Sequence, residues 1–184
     1  MAEVDPTTVV VAASDRRFVL VAGPPGAGKT TLAAPLAAAL GLPLISKDPI
    51  KEALMVALGT PRSLEESRKV GGASVQALLA VAATSCGAVL ESTFYPGTVA
   101  ALRALPGKFV EVRCVVPREV ALARYRTRRR HPGHFEAARS DDELWNPGLV
   151  EPLGVGPVVT VDTTTPVDVP ALAARVSAAF DADR

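Results

Sequence analysis

With 184 residues, 48% of them hydrophobic and 21% charged, the chain has the size and balance of one ordinary folded domain, which excludes disordered and fibrous classes. Twenty lysines and arginines against nineteen carboxylates leave a net charge of +1, too little for a global field that steers nucleic acid or an anionic membrane, so any basic function is local. Cys86 and Cys114 are the only cysteines and have no Cys or His at metal spacing, so two buried thiols in a reducing, cytoplasmic compartment are expected instead of a disulfide framework.

The first fifteen residues carry Glu3, Asp5 and Asp15 and no basic segment followed by an apolar core, so no secretory signal is expected. Short apolar runs then alternate with longer helical patterns, which is the order of an α/β fold. Strands are predicted at 18–22, 43–46, 88–92, 109–116 and 158–162. They read as continuous apolar runs, as expected when helices cover both faces of a mainly parallel five-stranded sheet with right-handed connections. Helices are predicted at 29–40, 49–58, 64–84, 98–105, 118–130 and 169–181, with Gly41, Gly59 and Gly107 as stops. Pro35 falls two turns into the first helix and predicts a kink there. The uncharged stretch 70–90 is diluted by Gly71, Gly72, Ser74, Gln76, Thr84 and Ser85. It reads as a buried helix and a buried strand broken at Ser85-Cys86-Gly87, not as a membrane span. The segment 131–157, rich in Gly, Pro and charge, reads as a mobile flap of the same domain.

Between the first strand and first helix lies Gly23-Pro24-Pro25-Gly26-Ala27-Gly28-Lys29-Thr30, a complete G-x-x-x-x-G-K-[ST] phosphate loop. Glycines at 23, 26 and 28 let backbone N–H groups converge on phosphate oxygens, and the helix that follows points its positive end at the same anion. Lys29 is expected to bridge the β- and γ-phosphates and the Thr30 hydroxyl to ligate Mg²⁺. Gly23, Pro25, Gly26, Ala27, Gly28, Lys29, Thr30 and Thr31 are thus the expected ATP contacts, with Thr30 as the metal ligand. The chain has no room for the extra regions of a large motor, and no Asp-x-x-Gly or Asn-Lys-x-Asp GTPase pattern is present.

The second strand ends in Ser46-Lys47-Asp48, and α/β sheets place ligands at the carboxyl ends of their strands. Asp48 is a candidate general base for a substrate hydroxyl that attacks the γ-phosphorus. The same residue also suits a helix cap before Pro49, a role compatible with catalysis. At the third strand end, Glu91 suits either substrate or magnesium-bound water, and Thr93 suits the acceptor pocket. Lys47, Asp48, Lys51, Glu91 and Thr93 form the expected acceptor side.

Five arginines crowd into 124–130. On a helix Arg124 and Arg128 share one face, while Arg126 pairs with Arg130 on another. One pair is expected to reach the triphosphate; Arg126 and Arg129 read as a solvated face. His131-Pro132-Gly133-His134 lacks a third nearby ligand and reads as a lid turn instead of a metal site.

Together these residues resemble the small P-loop kinases that include chloramphenicol phosphotransferase, zeta-toxin-type kinases, gluconate kinase and the kinase domain of polynucleotide kinases. The likeness rests on residues 23–30, Ile45-Ser46-Lys47-Asp48-Pro49-Ile50-Lys51, Glu91-Ser92-Thr93-Phe94, and Arg124-Tyr125-Arg126-Thr127-Arg128 leading into His131-Pro132-Gly133-His134-Phe135. It implies a P-loop NTPase fold over residues 1–184 with a lid at about 124–157. It implies Asp48 as base, Arg124 and Arg128 as lid arginines, Lys51 where relatives carry a substrate-facing arginine, and Thr163 and Thr164 beside adenine. Lys51 is a point charge and not a planar fork, and Glu91 stands where an aspartate is frequent.

The resulting expectation is an ATP- and Mg²⁺-dependent kinase acting on a hydroxyl of a small molecule such as a sugar, nucleoside or antibiotic. Asp48, Lys29, Arg128 and Arg124 are its catalytic set. A polynucleotide 5′-hydroxyl kinase is disfavoured, because few basic residues outside 124–130 could contact successive phosphates and only five Phe, two Tyr and one Trp are available for stacking. A non-catalytic ATP-binding module is the remaining alternative. Neither the acceptor nor the oligomeric state is legible.

Overall fold

The computed structural model describes residues 15–182; the absence of a secretory signal was read from residues 1–15, of which 1–14 lie outside the described residues. The chain opens with β1 (Arg17–Ala22), α1 (Lys29–Leu40), β2 (Leu44–Ser46), α2 (Lys47–Leu58), α3 (Leu64–Thr84) and β3 (Gly87–Glu91). It continues with α4 (Val99–Arg103), β4 (Lys108–Val115), α5 (Arg118–Thr127), α6 (Asp141–Leu144), α7 (Pro147–Val150), β5 (Val158–Asp162) and α8 (Val169–Ala182). The five strands form one all-parallel sheet in the order β2-β3-β1-β4-β5.

Side chains alternate across the sheet, so each central strand supplies two cores. Val19, Val21, Val89, Val110 and Val112 face α1 and α8, meeting Leu32, Leu36, Leu172, Val176 and Phe180. Phe18, Leu20, Leu90 and Phe109 face the other way, onto Leu78, Leu79 and Ala82 of α3 and Leu102 of α4. Phe18 and Phe109 stack across β1 and β4 with ring centroids 5.2 Å apart. Burying each such large apolar side chain contributes about 1.5–3 kcal/mol.

The edges depart from the expected continuous apolar runs. In β5 only Val159 and Val161 are buried while Val158, Thr160 and Asp162 are exposed, because α8 covers just one face of this edge strand. In β2 only Ile45 is buried. Edge strands with one open face alternate; the buried β1 and β3 do not.

Helix boundaries follow local chemistry. Gly41, at φ 65°, closes α1 by donating its N–H to Ala37 O and Ala38 O, and Ser63 caps α3 by accepting from Glu66 N at 3.1 Å. Gly107 does not end α4, which stops at Arg103; it lets the chain pass Arg16, whose carbonyl a Cβ at 107 would approach to 2.6 Å. Helix α1 runs unbroken through Pro35, which lies on its exposed face. Helix α5 ends at Thr127, not Arg130. Arg128 turns extended at φ −69°, ψ 143°, and the coming Pro132 offers no N–H and holds His131 extended at φ −55°, ψ 131°.

The uncharged stretch resolves into α3 and β3 with its break at Ser85-Cys86, and among the described residues no helix is long and apolar enough to cross a membrane. Cys114 is buried on β4 as expected, but Cys86 is exposed, because it lies in the turn before β3 enters the core.

Between α5 and β5 the chain forms two single-turn 3₁₀ segments (Pro132–His134 and Glu136–Ala138), then α6 and α7. A buried ion pair on β4 fastens its return. Glu111, fully buried, accepts from Arg113 Nη1 at 3.2 Å and from Leu153 N at 2.9 Å, while Arg113 Nη2 donates to Leu149 O at 2.7 Å. Burial pushes the Glu111 carboxyl up, against the pull of the Leu153 amide and Arg113.

Candidate active site

The phosphate loop is built as its glycines demand. Gly23, Gly26 and Gly28 adopt φ of 141°, 83° and 77°, where L side chains are strained. At Gly26 a Cβ would also sit 2.1 Å from the Ala121 carbonyl oxygen, so the loop lies directly on the α5 backbone. Lys29 begins α1, is 8% exposed, and donates from Nζ to Gly23 O and Pro24 O, each at 2.9 Å. Burial lowers its pKa to about 8 even though the Glu91 carboxylate pulls the other way.

Strand register places Glu91, the last residue of β3, between Val21 of β1 and Ser46 of β2. Its carboxylate is 3% exposed and accepts hydrogen bonds from the Thr30 hydroxyl at 3.2 Å and from the Ser46 hydroxyl. A carboxylate between two hydroxyls, beside the opening of α1, is an all-oxygen donor set of the kind that suits Mg²⁺ and its bound water. Glu91 therefore sits with the phosphate loop, although the sequence equally allowed it on the acceptor side.

Helix α2 begins at Lys47, two residues before Pro49, with no loop separating it from β2. Ser46 occupies the cap position, so Asp48 lies in the first turn and its carboxylate is not a helix cap. Asp48 Oδ1 meets Lys47 Nζ at 3.1 Å, and Oδ2 meets Arg130 Nη2 at 2.6 Å. Burial pushes the Asp48 carboxyl up, but Lys47 and Arg130 together outweigh it and hold the group well below the usual carboxylate range.

The arginines of 124–130 have separate tasks. Arg124 donates to the carbonyls of Thr163 and Thr164, each at 3.0 Å, tying α5 to the loop after β5. Arg128 lies over the Tyr125 ring at 4.6 Å and forks onto Glu136 Oε1 at 2.9 and 2.7 Å. Arg130 does not pair with Arg126 on a helix face, because α5 has already ended; it reaches Asp48, while Arg126 pairs with Asp141 at 2.6 Å. Arg129 is exposed at the cavity edge.

These groups surround one cavity of about 770 Å³. Pro25, Gly26, Gly28, Lys29, Thr30 and Thr31 of the phosphate loop and the start of α1 line it together with Lys47, Asp48, Lys51, Glu91, Thr93, Arg124 and Arg128. Gly23, Ala27, Thr163 and Thr164 do not line it. Thr163 instead turns its hydroxyl to Ala27 O at 2.9 Å and so braces the loop from behind.

A loop of this geometry, a metal-suited carboxylate and a second carboxylate across one cavity now stand together, and comparison with known proteins gives them a family. The model of an AAA domain family of P-loop kinases matches residues 18–144. The chain belongs to that family. Among solved structures, a provisionally assigned kinase from Chloroflexus aurantiacus J-10-fl is 31% identical, with a TM-score of 0.76 over 90% of this chain and 98% of its own. Two more distant structures share the P-loop kinase fold. A gluconokinase from Sinorhizobium meliloti 1021 is 19% identical with a TM-score of 0.57, covering 91% of this chain and 94% of its own. A shikimate kinase from Acinetobacter baumannii, in complex with shikimate, is 17% identical with a TM-score of 0.57, covering 93% and 95%. The comparison with curated proteins found no match.

Set against this P-loop kinase fold, the sequence missed Arg130, Arg139, Ser67 and His134, all of which line the cavity. His134 is buried and bonds Glu52 Oε1 at 3.0 Å; Ser67 donates to Gly133 O at 2.6 Å. Both tie the turn at 132–134 to α2 and α3, which long-range contacts alone could reveal. Helix α6 did carry a readable signal: Ser140 accepts from Glu143 N at 3.2 Å, the S-x-x-E cap.

Proposed function

We propose that this P-loop kinase transfers the γ-phosphoryl group of ATP, with Mg²⁺, to a hydroxyl of a small molecule such as a sugar, nucleoside or antibiotic. One observation carries the reading: the phosphate loop and Asp48 line the same small-molecule-sized cavity. The loop amides and Lys29 bind the phosphates, and Thr30 and Glu91 hold the Mg²⁺ that supplies charge neutralisation when bound. Asp48 accepts a hydrogen bond from the acceptor hydroxyl and orients it for in-line attack. Because phosphoryl transfer passes through a loose transition state, a weakly basic carboxylate suffices, taking the proton late.

The segment 124–157 acts as the lid of one kinase unit spanning residues 1–184. Arg124 and Arg128 lower positive charge over the transferring group and exclude water, which limits hydrolysis. Lys47, Lys51 and Thr93 contact the acceptor, and Thr163 and Thr164 flank the adenine side on the loop after β5 that Arg124 ties to α5. Exposed Cys86 suits a reducing, cytoplasmic setting.

The test is ADP release measured across a panel of alcohols after calorimetry has shown MgATP binding. Stimulation by a subset of alcohols supports a kinase; ATP binding with no stimulation by any of them favours the non-catalytic module.

A further inference from the structure

His134 is 5% exposed and ends the single-turn segment Pro132–His134. Its backbone is held on several sides. His134 N donates to His131 O at 3.0 Å, and Ser67 Oγ of α3 donates to Gly133 O at 2.6 Å. A Cβ at Gly133 would lie 2.6 Å from Met55 Sδ, so the turn lies tight against α2. The ring itself meets Glu52 of α2, with Nε2 3.0 Å from Oε1.

The Glu52 contact fixes the tautomer. A carboxylate only accepts, so Nε2 carries the proton and Nδ1 keeps its lone pair. Burial pushes the His134 pKa below the usual imidazole value; Glu52 and Asp48 pull against it, while Lys51 and Arg130 add to the lowering. The ring is therefore neutral at pH 7, and its Nδ1 is a hydrogen-bond acceptor.

Nδ1 has no hydrogen-bond partner among the described residues. Arg16 Nε is the only side-chain nitrogen or oxygen there that is both fully buried and unpartnered, so Nδ1 is accessible, and His134 lines the cavity that Asp48 also lines. A tie between the turn and α2 needs Nε2 alone. A ligand that excludes water from Nδ1 must supply a donor or lose affinity. Glu52 follows Asp48 by four residues on α2, so the two project from one face with Cβ atoms about 5–6 Å apart. The ring that meets Glu52 thus lies about one helical turn from the candidate base.

We propose that His134 determines acceptor specificity: its Nδ1 accepts a hydrogen bond from a second hydroxyl of the acceptor, a few bonds from the one that Asp48 orients, and Glu52 is the positioning residue that holds the ring as this tautomer. The proposal rests on the kinase reading and narrows its acceptor to compounds with at least two neighbouring hydroxyls. A monohydric alcohol of the same shape leaves Nδ1 unpaired once water is excluded.

The experiment uses the full chain saturated with Mg²⁺ and a non-hydrolysable ATP analogue. Glycerol, D-ribose, myo-inositol and uridine are titrated by calorimetry beside 1-propanol, tetrahydrofurfuryl alcohol, cyclohexanol and 2′,3′-dideoxyuridine, which carry one hydroxyl each. At least one polyol should bind about tenfold more tightly than its monohydric counterpart, the worth of a hydrogen bond to an otherwise unpaired group. His134→Gln can still reach Glu52 through its amide nitrogen but has no acceptor in place of Nδ1, so the ratio should fall close to one. His134→Asn puts an oxygen near the Nδ1 position and should restore part of the preference. In the unsubstituted chain with labelled histidine, nitrogen NMR should show Nδ1 unprotonated at pH 7.5 and its resonance moving when the polyol is added. In Glu52→Gln the two tautomers should mix, and a tautomer unchanged in that variant removes the positioning role.

Equal binding of polyols and monohydric alcohols, or no binding of any polyol, overturns the proposal while the kinase reading stands. A preference that survives in His134→Gln overturns it too, as does a ratio equally low in both His134 variants, which is the mark of a structural tie. Failure of the analogue itself to bind defeats the kinase reading and this proposal with it. Where the variants do not fold, the binding ratio and the Nδ1 resonance of the unsubstituted chain decide the matter.

Discussion

Arg130 Nη2 lies 2.6 Å from Asp48 Oδ2, so a residue two positions beyond the stretch that resembles the lid arginines holds the candidate base directly. This contact and Lys47 hold the Asp48 carboxyl well below the usual carboxylate range, against the upward push of burial. Removing the guanidinium in Arg130→Gln leaves burial less opposed and must raise the Asp48 pKa. The acid limb of the pH–rate profile for transfer should therefore move upward by about 1 unit. An unmoved limb would mean that Asp48 is not the titrating group or that the contact is absent in solution.

Asp48→Asn keeps the shape and one acceptor oxygen but cannot take a proton. Transfer should fall by about 10²–10⁴-fold, the range of general-base contributions, while calorimetric ATP affinity stays within a few-fold of the parent chain. Retained turnover in this variant would remove the assignment.

Lys29 begins to lose its proton near pH 8 in the chain without nucleotide. Phosphate binding favours the ammonium, so binding takes up a proton above that pH. MgATP affinity should be flat below about pH 7.5 and weaken by up to about tenfold per unit above pH 8. In Lys29→Met the affinity should be weaker and lose this dependence. Persistence of the slope in the variant would assign the proton elsewhere.

Glu91→Gln preserves packing but removes the charge between Thr30 and Ser46. The Mg²⁺ concentration for half-maximal activity should rise tenfold or more, with acceptor KM less affected. Glu91→Ala should in addition destabilise the fold by about 1–3 kcal/mol, because the part-buried hydrogen bonds from Thr30 and Ser46 to the carboxylate are lost. A change confined to acceptor KM would return Glu91 to the acceptor side.

Glu111→Ala leaves Arg113 buried and unpaired, which should cost about 3–5 kcal/mol in urea unfolding. The double variant Glu111→Leu, Arg113→Met should recover much of that loss, since it removes both charges together. Equal loss in single and double variants would show that the carboxylate matters through Leu153 alone.

The sheet was legible because β1 and β3 are buried on both faces and write that burial as near-continuous apolar runs, whereas β4 interrupts its run with the buried pair Glu111 and Arg113. The phosphate loop was legible because its glycines answer a backbone demand that no other residue meets. What sequence hid are matters of distance in the chain. Arg130 meets Asp48 across 82 positions, and Ser67 meets Gly133 across 66. The helix α5 also ends earlier than its arginine periodicity suggests, since Pro132 redirects the chain before the second pair can form. The four-residue helices α6 and α7 are too short to show a period, although Ser140 and Pro147 mark their starts.

The most direct measurement is mass spectrometry of a pooled alcohol library incubated with the chain, Mg²⁺ and ATP carrying an isotopic label in its γ-phosphoryl oxygens. The labelled group should appear on one or a few small alcohols, and Asp48→Asn should abolish that product without preventing ATP binding. Label that remains in ATP, or appears only as inorganic phosphate while nucleotide is bound, would contradict transfer to a hydroxyl.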